Sequence, residues 1–296
     1  MPEGGNVFLE VTHNSGYSAI YDSNLNWVAD IGQGPIHLEA GTYIVHADYS
    51  SPTYGALTFT GVEPTNGGLG STIDGTSGDD LLTGTVADDS IRGLSGNDSL
   101  EGFDGTDTLV GGEGRDTIDA GEGDDSLSGG LGHDRLLGRG GDDRGNGGGG
   151  RDRIFGGSGN DTLEGKIGSD QLFGQRGRDF LKGGSGQDRI MGGGGHDTLA
   201  GGFGGDVLAG GRGRDMLTGG AGRDTFAFSR GNGQDTITDF ELGIDRIKIG
   251  RGASQMEQLS FEQHGNDVLV SFSDVNLTVE NASVESLSIS DHFLFG

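Results

Sequence analysis

One nine-residue unit decides the fold, and it reads Gly183-Gly184-Ser185-Gly186-Gln187-Asp188-Arg189-Ile190-Met191. Its Asp recurs every nine residues, without a miss, in seventeen consecutive copies from Asp80 to Asp224. An apolar residue stands two positions after each Asp except at Gly145, and a Gly stands two positions before each Asp except at Ala87. A fixed period of this kind indicates a repeat architecture, in which each unit folds against its neighbours.

The unit predicts a flattened β-solenoid. Six Gly-rich residues form a tight turn, because Gly adopts positive φ without steric cost. The three residues around each apolar position are long enough for one rung of a parallel sheet, with the central side chain facing inward. Two repeats complete a coil of 18 residues, and about 8.5 coils stacked roughly 4.8 Å apart make a rod about 40 Å long. Helices are excluded, because Gly costs about 1 kcal/mol per site in a helix.

The composition excludes a large conventional core. The 296 residues include 65 Gly, no Cys and 31% hydrophobic residues, against roughly 45–50% apolar residues in an average domain. The net charge of −27 argues against nucleic acid and anionic membrane surfaces as partners, because like charges repel. No apolar run approaches the roughly 20 residues of a transmembrane segment. We therefore expect a cation that neutralises the carboxylates to hold the chain together.

Charge and glycine content divide the chain into units. Residues 1–66 contain the single Trp, all five Tyr and no Lys or Arg, and are predicted to form a small β-sandwich-like module. Residues 67–73 are a Gly-rich linker, and residues 74–228 carry the seventeen repeats. Residues 229–296 are predicted to hold a degenerate repeat and a β cap.

The repeats resemble those of the RTX family, secreted bacterial proteins with calcium-binding nonapeptides of the form G-G-x-G-x-D-x-U-x. The resemblance is close over residues 74–228 and looser over residues 229–296. It implies an all-β fold, built on a right-handed parallel β-roll that calcium staples together. It also implies a secreted, extracellular protein that leaves a bacterium through the type I secretion apparatus.

The recurring Asp residues are the candidate metal ligands. Residues 18 apart lie above one another in such a roll, so each column of carboxylates would repel itself unless divalent ions lie between the turns. Calcium fits best, because it takes six to eight oxygen ligands in flexible geometry and Gly-rich turns expose backbone carbonyls. Magnesium demands stricter geometry, and zinc requires Cys or clustered His. The alternative is that the Asp residues only cap solvated turns.

The predicted calcium ligands are the Asp residues of the seventeen repeats and of the degenerate repeat: Asp80, Asp89, Asp98, Asp107, Asp116, Asp125, Asp134, Asp143, Asp152, Asp161, Asp170, Asp179, Asp188, Asp197, Asp206, Asp215, Asp224 and Asp235. Ions shared between successive carboxylates number up to about 15 Ca²⁺ in this arrangement. Their charge would nearly balance the net charge of −27.

Both flanks are predicted to be β-structured, with strands over residues 7–11, 36–38, 43–47, 57–59, 268–272 and 277–279. A cap is required at the end of the roll, because an open solenoid exposes strand edges and core. The ending Asp291-His292-Phe293-Leu294-Phe295-Gly296 is similar to the tail that type I exporters recognise in RTX proteins. The first residues show no signal peptide, which fits type I export and equally fits a cytosolic protein.

The sequence predicts a protein that is not an enzyme, because it contains no H-E-x-x-H, G-x-S-x-G or P-loop motif. The first hypothesis is a secreted calcium-binding protein with a structural, adhesive or binding role. The alternative is an accessory, carbohydrate-binding or secretion module of an extracellular enzyme system of the protease, lipase or alginate-modifying type. An extracellular glycan or cell surface is its expected partner.

Two further expectations follow from the core. One buried apolar side chain per nine residues does not offset the entropy of ordering the backbone, so the calcium-free repeats are predicted to be unfolded. Gly145 removes one such side chain. It therefore predicts a gap and a weak joint midway along the rod, which Gly145→Leu would fill.

Overall fold

The computed structural model describes residues 70–296 and six short strands before them. These strands are β1 (Val7–Glu10), β2 (Ser18–Asp22), β3 (Trp27–Ile31), β4 (Ile36–Leu38), β5 (Tyr43–Ala47) and β6 (Thr58–Thr60). Four of them coincide with predicted strands, whereas β2 and β3 were not predicted. The side-chain packing of the proposed module at 1–66, and residues 67–69 of the linker, lie outside the described residues.

The seventeen repeats form one strand each, and one further strand precedes the first repeat. Their bounds are β7 (Thr72–Asp74), β8 (Leu81–Thr83), β9 (Ser90–Ser95), β10 (Ser99–Asp104), β11 (Thr108–Gly114), β12 (Thr117–Glu122), β13 (Ser126–Gly132), β14 (Arg135–Gly140), β15 (Arg144–Gly150), β16 (Arg153–Ser158), β17 (Thr162–Ile167), β18 (Gln171–Arg176), β19 (Phe180–Ser185), β20 (Arg189–Gly195), β21 (Thr198–Gly204), β22 (Val207–Gly213), β23 (Met216–Gly222) and β24 (Thr225–Phe228). Most of these strands are six or seven residues long rather than the predicted three, because the Gly residues after each apolar position continue the ladder.

Alternate strands build two facing parallel sheets. Sheet 1 contains the even-numbered strands from β8 to β24, and sheet 2 contains the odd-numbered strands from β7 to β23. The register pairs residues 18 apart, such as Leu100 with Ile118 in sheet 1 and Leu109 with Leu127 in sheet 2. The prediction of an all-β parallel β-roll is therefore confirmed, and the roll has about ten turns rather than the predicted 8.5 or so.

The core of the roll is a double line of apolar side chains, one from each repeat. Those from Leu82 to Phe226 are at most 3% exposed. The gap predicted at Gly145 is wrong: a Cβ built there would lie 3.0 Å from Ile154 Cγ2 and 3.0 Å from Leu163 Cδ2. These neighbours already fill the space, and β15 pairs continuously with β13 and β17.

The C-terminal end closes the roll with strands of three to six residues. They are β25 (Gln234–Ile237), β26 (Arg246–Ile249), β27 (Ser260–His264), β28 (Asp267–Phe272), β29 (Val275–Val279) and β30 (Phe293–Phe295), with the helix α1 (Val284–Leu287) and 3₁₀ turns at Met256–Gln258 and Ser290–His292. Strands β25 and β29 continue sheet 2 in parallel, and β28 and β27 then add antiparallel. Strands β26 and β30 continue sheet 1. No helix in the described part of the chain is long and apolar enough to cross a membrane.

Candidate metal centre

Each of the seventeen repeat Asp residues lies at the same place in its coil, in the turn just before a strand, whereas Asp235 is the second residue of β25. The parallel register stacks the Asp residues into two columns, one at the edge of each sheet. All eighteen are buried, with exposed fractions between 0% and 6%. The structure therefore brings the whole predicted set together, and it brings them together as two linear arrays.

The columns are held by backbone donors. In each turn the Asp N–H donates to Oδ1 of the Asp one coil further on, as from Asp80 to Asp98 at 2.9 Å and from Asp89 to Asp107 at 2.7 Å. The pattern continues without interruption to Asp224 in one column and Asp215 in the other. One oxygen of each carboxylate is therefore fixed in place.

The other oxygen of most carboxylates is left without a partner. Oδ2 is buried and accepts no hydrogen bond in Asp98, Asp107, Asp116, Asp125, Asp134, Asp143, Asp152, Asp161, Asp170, Asp179, Asp188, Asp197, Asp206, Asp215, Asp224 and Asp235. We call these sixteen residues the open carboxylates. A buried charged oxygen without a partner is strongly destabilising, so a repeated row of them fits a cation-binding site.

Three carboxylates of the columns differ. Oδ2 accepts the N–H of Thr76 in Asp80, of Thr85 in Asp89 and of Glu241 in Asp245, at 2.6, 2.5 and 2.9 Å. We call Asp80, Asp89 and Asp245 the capped carboxylates.

Both columns extend beyond the regular repeats. Asp235 accepts the N–H of Asp215 at 3.1 Å, so the degenerate repeat completes one column after a coil of 20 residues. Asp245 accepts the N–H of Asp224 at 2.9 Å and completes the other column. The sequence reading missed Asp245 because its spacing departs from nine. The signal was nevertheless present, since Gly243 precedes it by two positions and Ile247 follows it by two.

Burial raises the pKa values of the open carboxylates. Burial raises the pKa of Asp107 to about 7, the hydrogen bond from Asp89 opposes the rise, and the charges of Asp125 and Asp89 add to it. Burial likewise raises the pKa of Asp98 and Asp161 to about 6. In all three, desolvation of the charged form is the largest cause. A cation would relieve both the desolvation and the mutual repulsion.

A second ladder runs along the outside of the turns and was not predicted. In nine repeats, the side chain just before the Asp accepts the N–H of the residue one coil later, as from Asn97 to Asp79 Oδ1 at 2.7 Å. The acceptors change along the roll, since Arg151 donates to His133 Nδ1 at 2.8 Å and Arg178 donates to Asn160 Oδ1 at 2.9 Å. Arg residues at this position are therefore compatible with the ladder through their backbone.

The donor set determines which metal the columns suit. Among residues 70–296, no three His, Cys, Asp or Glu side chains converge on one point. An ion between two turns would therefore take one or two carboxylates and complete its shell with backbone carbonyl oxygens. A Gly stands five positions before the Asp in every regular repeat except that of Asp125, where the residue is Ala120. The Gly keeps this space clear, because a Cβ at Gly93 would collide with Asp98 Oδ2 and the carbonyl oxygen of Gly111. An all-oxygen shell of this kind fits calcium.

Comparisons with known proteins agree with the repeat pattern. The family model of the RTX calcium-binding nonapeptide repeat (4 copies) matches residues 66–100, 101–136, 137–172, 164–199 and 200–237. A search of curated proteins gives no match.

Two solved structures are similar to parts of the chain. Extracellular lipase LipA from Serratia marcescens is 21% identical, over 75% of this chain and 40% of the lipase, with a TM-score of 0.35. The AlgE6R3 subunit of the mannuronan C5-epimerase from Azotobacter vinelandii is 31% identical, over 40% of this chain and 77% of that subunit, with a TM-score of 0.32. The chain thus spans less than half of the lipase. The family model covers more than half of the chain, which accordingly belongs to the family of RTX calcium-binding nonapeptide repeat proteins.

Proposed function

We propose that this chain is a secreted calcium-binding protein whose β-roll folds when Ca²⁺ enters the two Asp columns. The observation that carries the proposal is the row of sixteen buried Oδ2 atoms without hydrogen-bond partners. The eighteen Asp residues predicted from the sequence supply the columns. Asp245 extends one of them.

Calcium would act here as a structural staple. It supplies positive charge to carboxylates that burial otherwise destabilises in their ionised form. Because each ion lies between successive coils, binding at one coil favours the next, and the transition is expected to be cooperative. Extracellular calcium modules commonly bind in the range of about 10⁻⁴–10⁻³ M. A chain that binds calcium with this affinity stays unfolded in a calcium-poor cytosol and folds outside the cell.

Export by the type I apparatus is part of the same proposal. A chain that is unfolded without calcium is competent to pass through a channel as a thread. The ending from Asp291 to Gly296 is the candidate export signal, and in the folded roll Phe293 is 5% exposed and pairs with Ile247. Folding would therefore withdraw the signal after export.

The test is a calcium titration of the full chain. Far-UV circular dichroism in chelator is expected to lack most of the β signal, and the signal should appear cooperatively between micromolar and 10 mM Ca²⁺. Magnesium at the same concentrations serves as the matched control. A β signal complete in chelator, or an equal response to magnesium, would overturn the proposal.

A second candidate function, binding of an acidic glycan, is favoured by the outer face of sheet 1. From β14 to β26 the outward positions of this sheet carry no Asp or Glu, in a chain whose net charge is −27. They carry Arg135, Arg153 and Arg189, which make no ion pair within residues 70–296. We call this surface the basic face.

Aromatic rings hold two of these guanidinium groups in place. The Cζ atoms of Arg135 and Arg153 lie 5.5 and 5.7 Å from the ring centroid of Phe155, whose ring stacks on Phe173 with centroids 4.8 Å apart. A shallow groove between Arg189 and Lys248, floored by Val207 and Ala209, continues the face. Fixed guanidinium groups above an apolar floor suit carboxylated or sulfated sugars. Single-stranded nucleic acid is a poorer fit, because Phe173 and the guanidinium groups occupy the ring of Phe155, whereas bases need exposed ring faces to stack on.

The matching experiment is affinity electrophoresis of calcium-loaded protein through polyuronate, sulfated polysaccharide, neutral glucan and single-stranded DNA. Retention by either anionic polysaccharide is expected, and Arg135→Gln with Arg153→Gln should weaken it about tenfold or more. Arg144→Gln is the control, since Arg144 lies at the same repeat position on sheet 2. Equal retention by neutral glucan, stronger retention by DNA, or an equal effect of Arg144→Gln would overturn this second function.

A further inference from the structure

The φ angle of the residue four positions before each Asp differs between the open and the capped carboxylates. Before all sixteen open carboxylates, this residue has a positive φ between 75° and 123°. The residues are Leu94, Phe103, Gly112, Gly121, Gly130, Arg139, Gly148, Gly157, Lys166, Gln175, Gly184, Gly193, Gly202, Gly211, Gly220 and Gly231. Before the three capped carboxylates, Thr76, Thr85 and Glu241 do not have positive φ, and their N–H groups bond Oδ2.

The left-handed conformation is maintained even where it is unfavourable. Leu94, Phe103, Arg139, Lys166 and Gln175 have φ between 75° and 82°, a region that L-residues with a Cβ rarely adopt. Their side chains share no chemistry, so a common side-chain role does not explain the strain. What they share is that the carboxylate four positions later has a free buried oxygen. Backbone strain of this kind is typical of a functional site.

We propose that this backbone position selects which carboxylates take calcium, and that the N–H-capped Asp residues mark the start of the ion array in both columns and its far end in one of them. With φ negative, the N–H at this position donates to Oδ2 and occupies the oxygen that an ion would use. With φ positive, Oδ2 stays available. In the first two repeats the Thr hydroxyls add a second donor, at 3.0 Å from Thr76 and 3.2 Å from Thr85. This inference rests on the proposed function, because it assigns the sites within the calcium array.

The array is therefore shorter than the Asp columns. Eight open carboxylates remain in each column, from Asp98 to Asp224 and from Asp107 to Asp235. Ions between successive open carboxylates number about fourteen, and none is assigned to the turns of Asp80 and Asp89. In the first two turns of the roll, N–H and O–H donors of the same turn bond the carboxylate, and no calcium is needed there.

The first experiment counts ions per chain by native mass spectrometry of the full calcium-saturated protein. Asp80→Asn with Asp89→Asn should leave the count and the calcium midpoint of folding unchanged. Asp116→Asn with Asp125→Asn, the matched pair at the open positions, should remove two or more ions and raise the midpoint. Equal losses from both pairs would overturn this inference alone. A wild-type chain without any bound calcium would overturn the proposed function as well.

The second experiment converts a capped position into an open one, and an open position into a capped one. Thr85→Gly with Ala87→Gly gives the second repeat the Gly pattern of later repeats and should add one ion, whereas the control Val86→Gly, between them, should add none. In the opposite direction, Gln175→Thr introduces a β-branched residue that resists positive φ, and it should remove at least one ion. The control Gln175→Gly should keep the full count. An unchanged count in both Thr85→Gly/Ala87→Gly and Gln175→Thr would overturn the inference.

Discussion

The repeat roll and its C-terminal end share one pair of sheets but differ in what is buried. In the roll, each nine-residue repeat buries one apolar side chain, or Gly145 in its place, and one Asp. At the end, β28 alone buries Val268, Val270 and Phe272, and β29 buries a matching set. In the described part of the chain, no Asp after Asp245 is buried.

The difference shows that a continuous hydrogen-bond ladder does not imply one source of stability. At the end of the roll, alternating strands bury enough apolar surface to favour folding without help. In the roll, the apolar gain per residue is smaller, and each repeat carries a buried charge that needs a partner. We therefore expect the fold of the roll to depend on calcium and the fold of the end to depend on it much less.

Calcium removal should produce the largest contrast between the two regions. In chelator, amide hydrogen exchange is expected to become fast across residues 98–224, because the open carboxylates repel and lack partners. Amides of β28 and β29 should keep more protection, because their core is apolar. Hydrogen exchange with mass spectrometry of the full chain, with and without calcium, measures both regions in one sample. Equal loss in both would show that the end depends on the roll for its fold.

Acid should partly replace calcium in the roll. The folded pKa of Asp107, Asp134 and Asp188 is about 7, above the unfolded value of 3.8. A raised pKa means that the carboxyl stabilises the calcium-free fold at low pH and that this stability is lost as the pH rises through about 4 to 7. In chelator, the β signal and melting temperature should therefore rise as the pH falls from 8 to 5.

The same protons compete with calcium. The calcium midpoint of folding should therefore increase as the pH falls through this window, and binding should release protons. Titration calorimetry in two buffers of different ionisation enthalpy measures that release. A calcium midpoint that is the same at pH 5.5 and pH 8 would contradict the pKa directions.

Truncation of one buried side chain in each region should separate their stabilities. Leu172 and Leu277 are both 0% exposed, and Leu→Ala at such a site costs about 2–5 kcal/mol. Leu172→Ala should raise the calcium midpoint, because the proposed function couples folding of the roll to calcium binding. Leu277→Ala should instead reduce the protection of β28 and β29 in chelator. A reversal of these two effects would show that the core at the end also needs calcium.

The sequence predicted the roll because its period is strict. Seventeen Asp residues at one spacing determine the register, the two columns and the buried apolar lines, and none of these needs a long-range packing calculation. Asp245 was missed because its coil is longer by three residues, even though Gly243 and Ile247 retain the local pattern. Spacing alone is thus too narrow a criterion at the end of a repeat array.

The division between open and capped carboxylates was not predictable in the same way. Leu94 and Thr76 occupy the same position in the repeat, and neither is a residue expected at positive φ. The residue type at this position therefore does not indicate which conformation the backbone takes. Likewise, the sequence indicated only that Gly145 lacks a side chain. Whether a cavity results depends on the positions of the Ile154 and Leu163 side chains, which the sequence does not give.

Substitution of Gly145 should give the smallest effect and the finest test of packing in the roll. A Cβ at this position lies 3.0 Å from both Ile154 Cγ2 and Leu163 Cδ2, so Gly145→Ala requires these side chains to shift slightly. We expect a change of about 1 kcal/mol or less, because relief of Gly flexibility offsets the crowding. Gly145→Leu should overpack the core and destabilise the calcium-loaded roll by about 1–3 kcal/mol. Thermal unfolding of the two variants in saturating calcium measures both changes. A Gly145→Leu variant more stable than wild type would contradict this prediction and support the gap predicted from the sequence.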